Sequence, residues 1–170
     1  LVPAFVYGAE IFYSLPDSLE GMNFWSKGQF VGSKAYAYCP PLQSFQVIPQ
    51  SAIVDSLDVY QIKLTVPSGG LPNSGGVAFG FPSGFNLEAI SRIECSDNDD
   101  STDLEIRAIY VFGSTFALRF KRGEMPPAGT IVTLTIYSIK NPTTAGDYQA
   151  AGLIFDRHFR VVSGPSLSEK

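Results

Sequence analysis

Apolar and polar residues alternate along most of the chain, and clusters of Gly, Pro, Asn and Ser interrupt the alternation at short intervals. Alternation with a period of two is typical of strands that bury one face. The pattern is clearest in residues 56–66, where Tyr60, Ile62 and Leu64 alternate with polar side chains. Helical periodicity is almost absent. The pattern therefore predicts an all-β chain.

The alternation predicts about ten strands with turn signals roughly every 8–12 residues, which is the signature of a β-sandwich or a barrel. They cover residues 4–13, 29–38, 44–48 with 52–54 (an extended segment that Pro49 interrupts), 56–66, 76–81, 88–95, 103–112, 114–121, 130–139, 147–155 and 158–162. No long helical patterns separate the strands, which disfavours a parallel α/β sheet. We expect an antiparallel Ig-like β-sandwich of about 8–10 strands with an extra N-terminal strand or arm.

The amino-acid composition disfavours several classes of function. Charged residues make up 16% of the chain, hydrophobic residues 45%, and the net charge is -4. The apolar balance argues against disorder, and the scattered Lys and Arg make nucleic acid a poor partner. No apolar run approaches the roughly 20 residues that span a bilayer, so we expect no membrane span. The single histidine, His158, lies between Arg157 and Arg160 in a predicted strand and is interpreted as a surface residue. We expect no catalytic residues, and thus no enzyme.

Two cysteines, Cys39 and Cys95, lie 56 positions apart in the chain. Structural zinc needs four ligands, so the pair cannot form such a site unaided. Two interpretations stay open: a disulfide in an oxidising compartment, or two unrelated buried thiols.

From about residue 44 to residue 168 the chain resembles a repeat module of secreted, cell-surface and S-layer-like proteins of archaea and bacteria. The resemblance rests on five phrases in order: VIPQSAIV (47–54) with YQIKLTV (60–66), LPNSGGVAFGFPSGF (71–85), PPAGTIVTLTI (126–136), IKNPTTAG (139–146) and FDRHFRVVSGPSLS (155–168). It implies an Ig-like sandwich that serves outside the cell or at its surface as a spacer, adhesin part or assembly unit. It brings no catalytic residues.

The resemblance divides the chain into an N-terminal apolar arm with extra strands, residues 1–43, and a sandwich module, residues 44–170. Within the first part, the segment 1–13 (hereafter the arm) places alternate apolar side chains on one face of a strand. These are Phe5, Tyr7, Ala9, Ile11 and Tyr13. The first part either adds strands to its own sandwich, donates a strand to a neighbouring copy, or ends a preceding module. Strand donation would complete a neighbour's sheet through main-chain hydrogen bonds.

Two further sites are candidates. Asp97, Asp99, Asp100 and Asp103 lie in one acidic loop and could supply oxygen ligands to Ca²⁺, the only cofactor we consider; the alternative is a solvated hairpin loop. A second set of side chains could stack on sugars, the alternative being burial in the core. This set consists of Trp25, Tyr36 and Tyr38.

The sequence thus favours a structural subunit or module of an extracellular surface assembly: a filament, an S-layer or an adhesin stalk. Its expected partners are copies of itself or neighbouring modules, joined by strand addition through the arm. The alternative is a monomeric carbohydrate-binding or adhesive β-sandwich.

Overall fold

The computed structural model describes residues 25–26, 29–30, 42–98, 104–123 and 125–169. These residues form strands, turns and loops, and none of them is helical. The part of the chain that the structure describes therefore contains no helix that could cross a membrane.

The strands, in chain order, have the following bounds. They are β1 Trp25–Ser26, β2 Gln29–Phe30, β3 Gln43–Pro49, β4 Leu57–Thr65, β5 Gly76–Gly80, β6 Arg92–Asp97, β7 Ile106–Phe112, β8 Thr115–Phe120, β9 Ile131–Lys140, β10 Ala151–Phe155 and β11 Val161–Leu167. Apart from the short β1–β2 pair, they form a five-stranded sheet in the order β11-β10-β5-β8-β7 and a four-stranded sheet in the order β3-β4-β9-β6. Every pairing is antiparallel. The predicted antiparallel Ig-like β-sandwich is confirmed.

The core lies between the two sheets. In β4 and β9 the residues that face it alternate with residues on the outer side, because successive side chains of a strand point to opposite faces. Phe45 of β3 stacks on Phe79 of β5 with ring centroids 5.5 Å apart. A Cβ placed on Gly152 of β10 would lie 2.9 Å from Cζ of Phe45. Strand β3 therefore packs over β10 and β5, and the opposite edge, β6, lies on the side of β7.

Some predicted boundaries were wrong. Residues 52–54 belong to a turn, in which Ala52 and Asp55 have φ values of 55° and 54°. His158 lies in a turn, where Asp156 Oδ1 accepts hydrogen bonds from the amides of His158 and Arg160. Strand β11 begins after this turn and continues to Leu167.

Candidate functional site: flanks, faces and an end pocket

Most of the predicted site residues lie outside the described residues. This holds for the five arm residues Phe5, Tyr7, Ala9, Ile11 and Tyr13, for the glycan candidates Tyr36 and Tyr38, and for Cys39, Asp99, Asp100 and Asp103. Only the backbone of Trp25 is described, as part of β1. The arm, the sugar platform and the division at residue 43 therefore stay predictions.

One residue of the calcium candidate, Asp97, and one of the disulfide candidate, Cys95, are described, and both lie in β6. Asp97 ends that strand and is buried. Cys95 is half-buried, and burial together with the charge of Asp97 raises the pKa of its thiol to about 12. As a thiol, Cys95 would therefore be unreactive near neutral pH. No group of three or more metal-ligating side chains occurs among the described residues, and calcium binding and the disulfide stay predictions.

One flank of the sandwich, where β3 meets β11, is closed. The amide of Leu42 donates to Ser166 Oγ at 2.9 Å, and the amide of Glu169 donates to the carbonyl of Phe45 at 2.7 Å. Nε2 of Gln46 also donates to Glu169 Oε2 at 2.8 Å. These bonds cross from one sheet to the other, and Phe45 beneath them is almost fully buried.

The other flank, between β6 and β7, has no such bonds among the described residues. Strand β7 pairs with β8 on one side, and no described strand pairs with its other edge. Apolar side chains of both strands are only partly buried against the core, namely Ile93 and Cys95 of β6 and Ile106 and Val111 of β7. Ile109 of β7 is 45% exposed. An apolar edge with unpaired main-chain groups is a template for strand addition.

The outer side of the four-stranded sheet (hereafter the polar face) carries mainly polar side chains, and Ile48, Val59 and Ile131 also lie on it. One row across it consists of Gln46, Lys63, Thr133 and Ser96. A neighbouring position, Tyr137, donates a hydrogen bond to Glu94 and lies beneath the guanidinium of Arg92. This composition is that of a solvated sheet surface.

The outer side of the five-stranded sheet (hereafter the apolar face) differs. Its middle row consists of Leu153, Ala78, Ala117 and Tyr110, on β10, β5, β8 and β7. In β5 and β10 every residue is buried, outward as well as inward. Sequence reasoning missed this face, although a signal was present: strands buried on both faces read as continuous apolar runs, as GVAFG and AGLIF do.

Arg119 is the charged member of the apolar face. Its Nη2 donates to the carbonyls of Ser74 and Arg157, and its guanidinium lies 4.7 Å from the ring centroid of Phe159. Its Nε, however, is buried and has no hydrogen-bond acceptor among the described residues. A buried donor without an acceptor costs about 1–3 kcal/mol.

An apolar pocket of about 230 Å³ opens at the end of the sandwich where β3 finishes. Its wall includes Tyr60, Phe85 and Asn141. The hydroxyl of Tyr60 donates to Asn141 Oδ1 at 2.6 Å, and Asn141 Nδ2 donates to the carbonyl of Ile53 at 2.8 Å. Burial, with a contribution from the charge of Asp58, raises the pKa of Tyr60, which therefore stays protonated. Most of the described residues that line the pocket are apolar, and they include no carboxylate, amine or imidazole.

Asp58 fixes the loop above this pocket. Its carboxylate accepts hydrogen bonds from the amides of Ala52 at 2.9 Å and Val59 at 2.8 Å, and also from the amide of Ser51. Burial raises the pKa of Asp58, but these bonds and that from Asn141 outweigh burial and hold the pKa below the ordinary 3.8. The carboxylate is therefore ionised at neutral pH and serves as an anchor for the loop.

No family model and no curated protein matches the chain. Similar solved structures include the pilus backbone protein RrgB of Streptococcus pneumoniae, at 12% identity and a TM-score of 0.40 over 74% of this chain and 46% of that one. A non-cellulosomal cohesin from the archaeon Archaeoglobus fulgidus is 12% identical with a TM-score of 0.35, over 74% of this chain and 88% of that one. A structure described as manganese lipoxygenase of Gaeumannomyces graminis and partial zonadhesin of Komagataella pastoris is 11% identical with a TM-score of 0.40, over 76% and 45%.

The chain spans less than half the length of the pilus and lipoxygenase–zonadhesin chains that it resembles. At these identities and TM-scores the likeness concerns the arrangement of strands. No argument about function rests on it.

Proposed function

We propose that the chain is a structural, non-catalytic module of an extracellular surface assembly, and that it joins neighbouring copies by strand addition through the arm. The observation that supports this proposal best is the difference between the two flanks. One flank is closed by hydrogen bonds between the sheets, and the other ends in β7, which has no second partner strand among the described residues.

The arm has the chemistry that the edge of β7 requires. An added strand binds through main-chain hydrogen bonds, and alternate side chains give it specificity. Phe5, Tyr7 and Ile11 would lie on one face of such a strand. The edge offers Ile109 and the partly buried Ile106 and Val111 as apolar contacts. Donation from each copy to the next, without closure into a ring, builds a filament.

Negative-stain electron microscopy of the wild type beside a deletion of residues 1–13 tests the proposal. We expect filaments or ordered arrays in the wild type and dispersed particles in the deletion variant. Dispersed particles in both samples would contradict assembly through the arm. Binding of such a monomer to a glycan array would then favour the carbohydrate-binding alternative.

A second variant tests the acceptor edge. Lysine on an edge strand opposes strand pairing because it places a charge at the new contact. We expect Ile109→Lys to reduce assembly strongly, and Ile131→Lys, at a similarly exposed position of β9, to leave assembly unchanged. Equal assembly by both variants would rule out β7 as the acceptor edge.

A further inference from the structure

A groove of about 460 Å³ lies on the polar face, near the C-terminal ends of β3 and β9. Ligand clefts in proteins have volumes of about 300–1,000 Å³, so the groove is large enough for a small ligand. Gln61 and Thr135 pair across β4 and β9, and Tyr137 lies in the next row of the sheet. The groove is lined by three apolar residues and by four polar side chains, those of Gln50, Gln61, Thr135 and Tyr137.

A β-bulge bends the sheet beside this groove. The register of β4 and β9 shifts between Asp58 and Val59, where Ser138 is an extra residue in β9. The φ of Ser138 is 71°, in the left-handed region that residues other than glycine seldom adopt. A bulge bends its strand and increases the local twist of the sheet. The groove therefore lies where β9 bends, directly before Ser138.

The groove presents hydrogen-bonding groups without charge. The side-chain amides of Gln50 and Gln61 and the hydroxyl of Thr135 form no hydrogen bond with a described residue. An amide has donors and an acceptor, and a hydroxyl both donates and accepts. None of the described residues that line the groove is charged. This set matches an uncharged ligand with many hydroxyl groups, each of which also donates and accepts.

Tyr137 gives the groove an aromatic wall in a fixed position. Its hydroxyl donates to Glu94 at 2.8 Å, and the guanidinium of Arg92 lies 5.2 Å from the centroid of its ring. Both partners belong to β6, whereas the other residues of the groove belong to β3, β4 and β9 or follow β3 directly. Arg92 and Glu94 also pair with each other, so their charges are balanced beside the groove. A ring held in this way binds the apolar C–H face of a sugar with little further loss of side-chain freedom.

The position of the groove favours a glycan over a peptide. Strand β4 pairs with β3 and β9, and β9 pairs with β4 and β6. The main chain of these two strands is therefore already used in the sheet. An added peptide strand binds through free main-chain groups at a sheet edge. A ligand over β4 and β9 is held by side chains instead.

We propose that this groove binds a neutral glycan. The ring of Tyr137 contacts one face of a sugar, and the side chains of Gln50, Gln61 and Thr135 form hydrogen bonds with its hydroxyl groups. The site is separate from the aromatic residues that the sequence suggested as a sugar platform. It does not rest on the proposed function, because a subunit of an assembly and a monomer would both present this face.

An array of neutral and acidic oligosaccharides, incubated with the full-length protein, tests the class of ligand. We expect binding to neutral oligosaccharides, without a requirement for carboxylate or sulfate groups. Binding to acidic glycans alone, or to no glycan on the array, would overturn the inference.

Two threonines of β9 provide a matched pair of variants for the oligosaccharide that the array identifies. Thr135 lines the groove, whereas Thr133 lies two positions away on the same face and does not line it; both are half-buried. We expect Thr135→Val to weaken binding about two- to tenfold, as the loss of one hydrogen bond does, and Thr133→Val to leave it unchanged. Tyr137→Ala should weaken binding on the order of tenfold or more, because it removes the aromatic wall. Isothermal titration calorimetry measures these changes, and equal binding by the wild type, Thr135→Val and Tyr137→Ala would overturn the site.

Sedimentation velocity on the same variants separates this inference from the proposed function. We expect Thr135→Val and Tyr137→Ala to assemble like the wild type, because the groove lies on the sheet that does not contain β7. Assembly by a wild type that binds no glycan would overturn the groove and leave the proposed function intact. A wild type that binds a glycan through Thr135 and stays monomeric would support the groove and contradict the proposed function.

Discussion

The two outer faces of the sandwich differ in the side chains of their middle rows. The polar face presents the row Gln46, Lys63, Thr133 and Ser96, whereas the apolar face presents the row Leu153, Ala78, Ala117 and Tyr110. Both sheets share one core, so the core does not require this difference. The outward residues instead differ in burial: those of the polar face are partly exposed, whereas Leu153, Ala78 and Ala117 of the apolar face are buried.

The largest expected effect comes from a charge placed on the apolar face, with the same charge on the polar face as its control. Ala117→Arg places a guanidinium at a fully buried position with no described acceptor, so we expect it to lower the free energy of unfolding by about 3 kcal/mol or more. Thr133→Arg, at the matching place on β9, should change it by no more than about 0.5 kcal/mol. Urea unfolding followed by circular dichroism measures both. Equal effects would break the comparison between the faces.

The second effect concerns a charge that the four-stranded sheet does accommodate. The carboxylate of Asp58 accepts hydrogen bonds from the backbone amides of Ala52 and Val59. An arginine introduced at position 117 would have no such partners among the described residues. We expect Asp58→Asn to lower the free energy of unfolding at pH 7 by roughly 1–3 kcal/mol, since an amide accepts these bonds less well. Asp55→Asn, at an exposed ion pair with Lys140, should have an effect below about 1 kcal/mol.

The same anchor makes a pH prediction. Because the pKa of Asp58 is lower in the folded protein than its ordinary 3.8, the carboxylate stabilises the fold above that value. This contribution is lost as the pH falls through the lower, folded pKa. The wild type should therefore lose more stability than Asp58→Asn between about pH 5 and pH 2. Parallel pH profiles for the two proteins would contradict the assignment.

A third effect tests the packing under the apolar face. A methyl group on Gly152 would press on the ring of Phe45, whereas one on Gly123 would meet open space. We expect Gly152→Ala to lower the free energy of unfolding by about 1–3 kcal/mol, as overpacking does. Gly123→Ala should be neutral within about 0.5 kcal/mol. Thermal unfolding of the two variants measures both effects. An unchanged stability of Gly152→Ala would contradict the close approach of Phe45 to β10.

The smallest effect belongs to the polar face. Glu94 accepts a hydrogen bond from Tyr137 at 2.8 Å and pairs with Arg92, but Arg92 is exposed and the other two side chains are only partly buried. We expect Glu94→Gln to change the free energy of unfolding by less than about 1 kcal/mol, and less still at high salt. A larger loss would contradict the description of this face as solvated.

The sequence predicted the fold well because the alternation of apolar residues in β4 and β9 specifies one buried face for each strand. It could not predict which strands are neighbours, since β4 pairs with β9 across more than sixty residues and no local signal marks that pairing. It placed a strand at residues 52–54, because apolar composition does not reveal the positive φ of Ala52 or the anchor at Asp58.

The site was harder to predict than the fold. The continuous apolar runs of β5 and β10 were interpreted only as strands, although burial on both faces is what such runs indicate. The closed flank joins Leu42 and Phe45 to Ser166 and Glu169, which lie at the other end of the described chain and share no motif with them. The arm was predicted from its alternating apolar and aromatic residues, and it stays a prediction because it lies outside the described residues.

Sedimentation velocity over a range of concentrations tests the central claim, assembly through the arm, most directly. The decisive variant is the double substitution Tyr7→Asp and Ile11→Asp on the alternating face, with Glu10→Gln on the other face as control. The account predicts large, concentration-dependent species for the wild type and Glu10→Gln, and a single small species for the double variant. Equal assembly by all three proteins would contradict it.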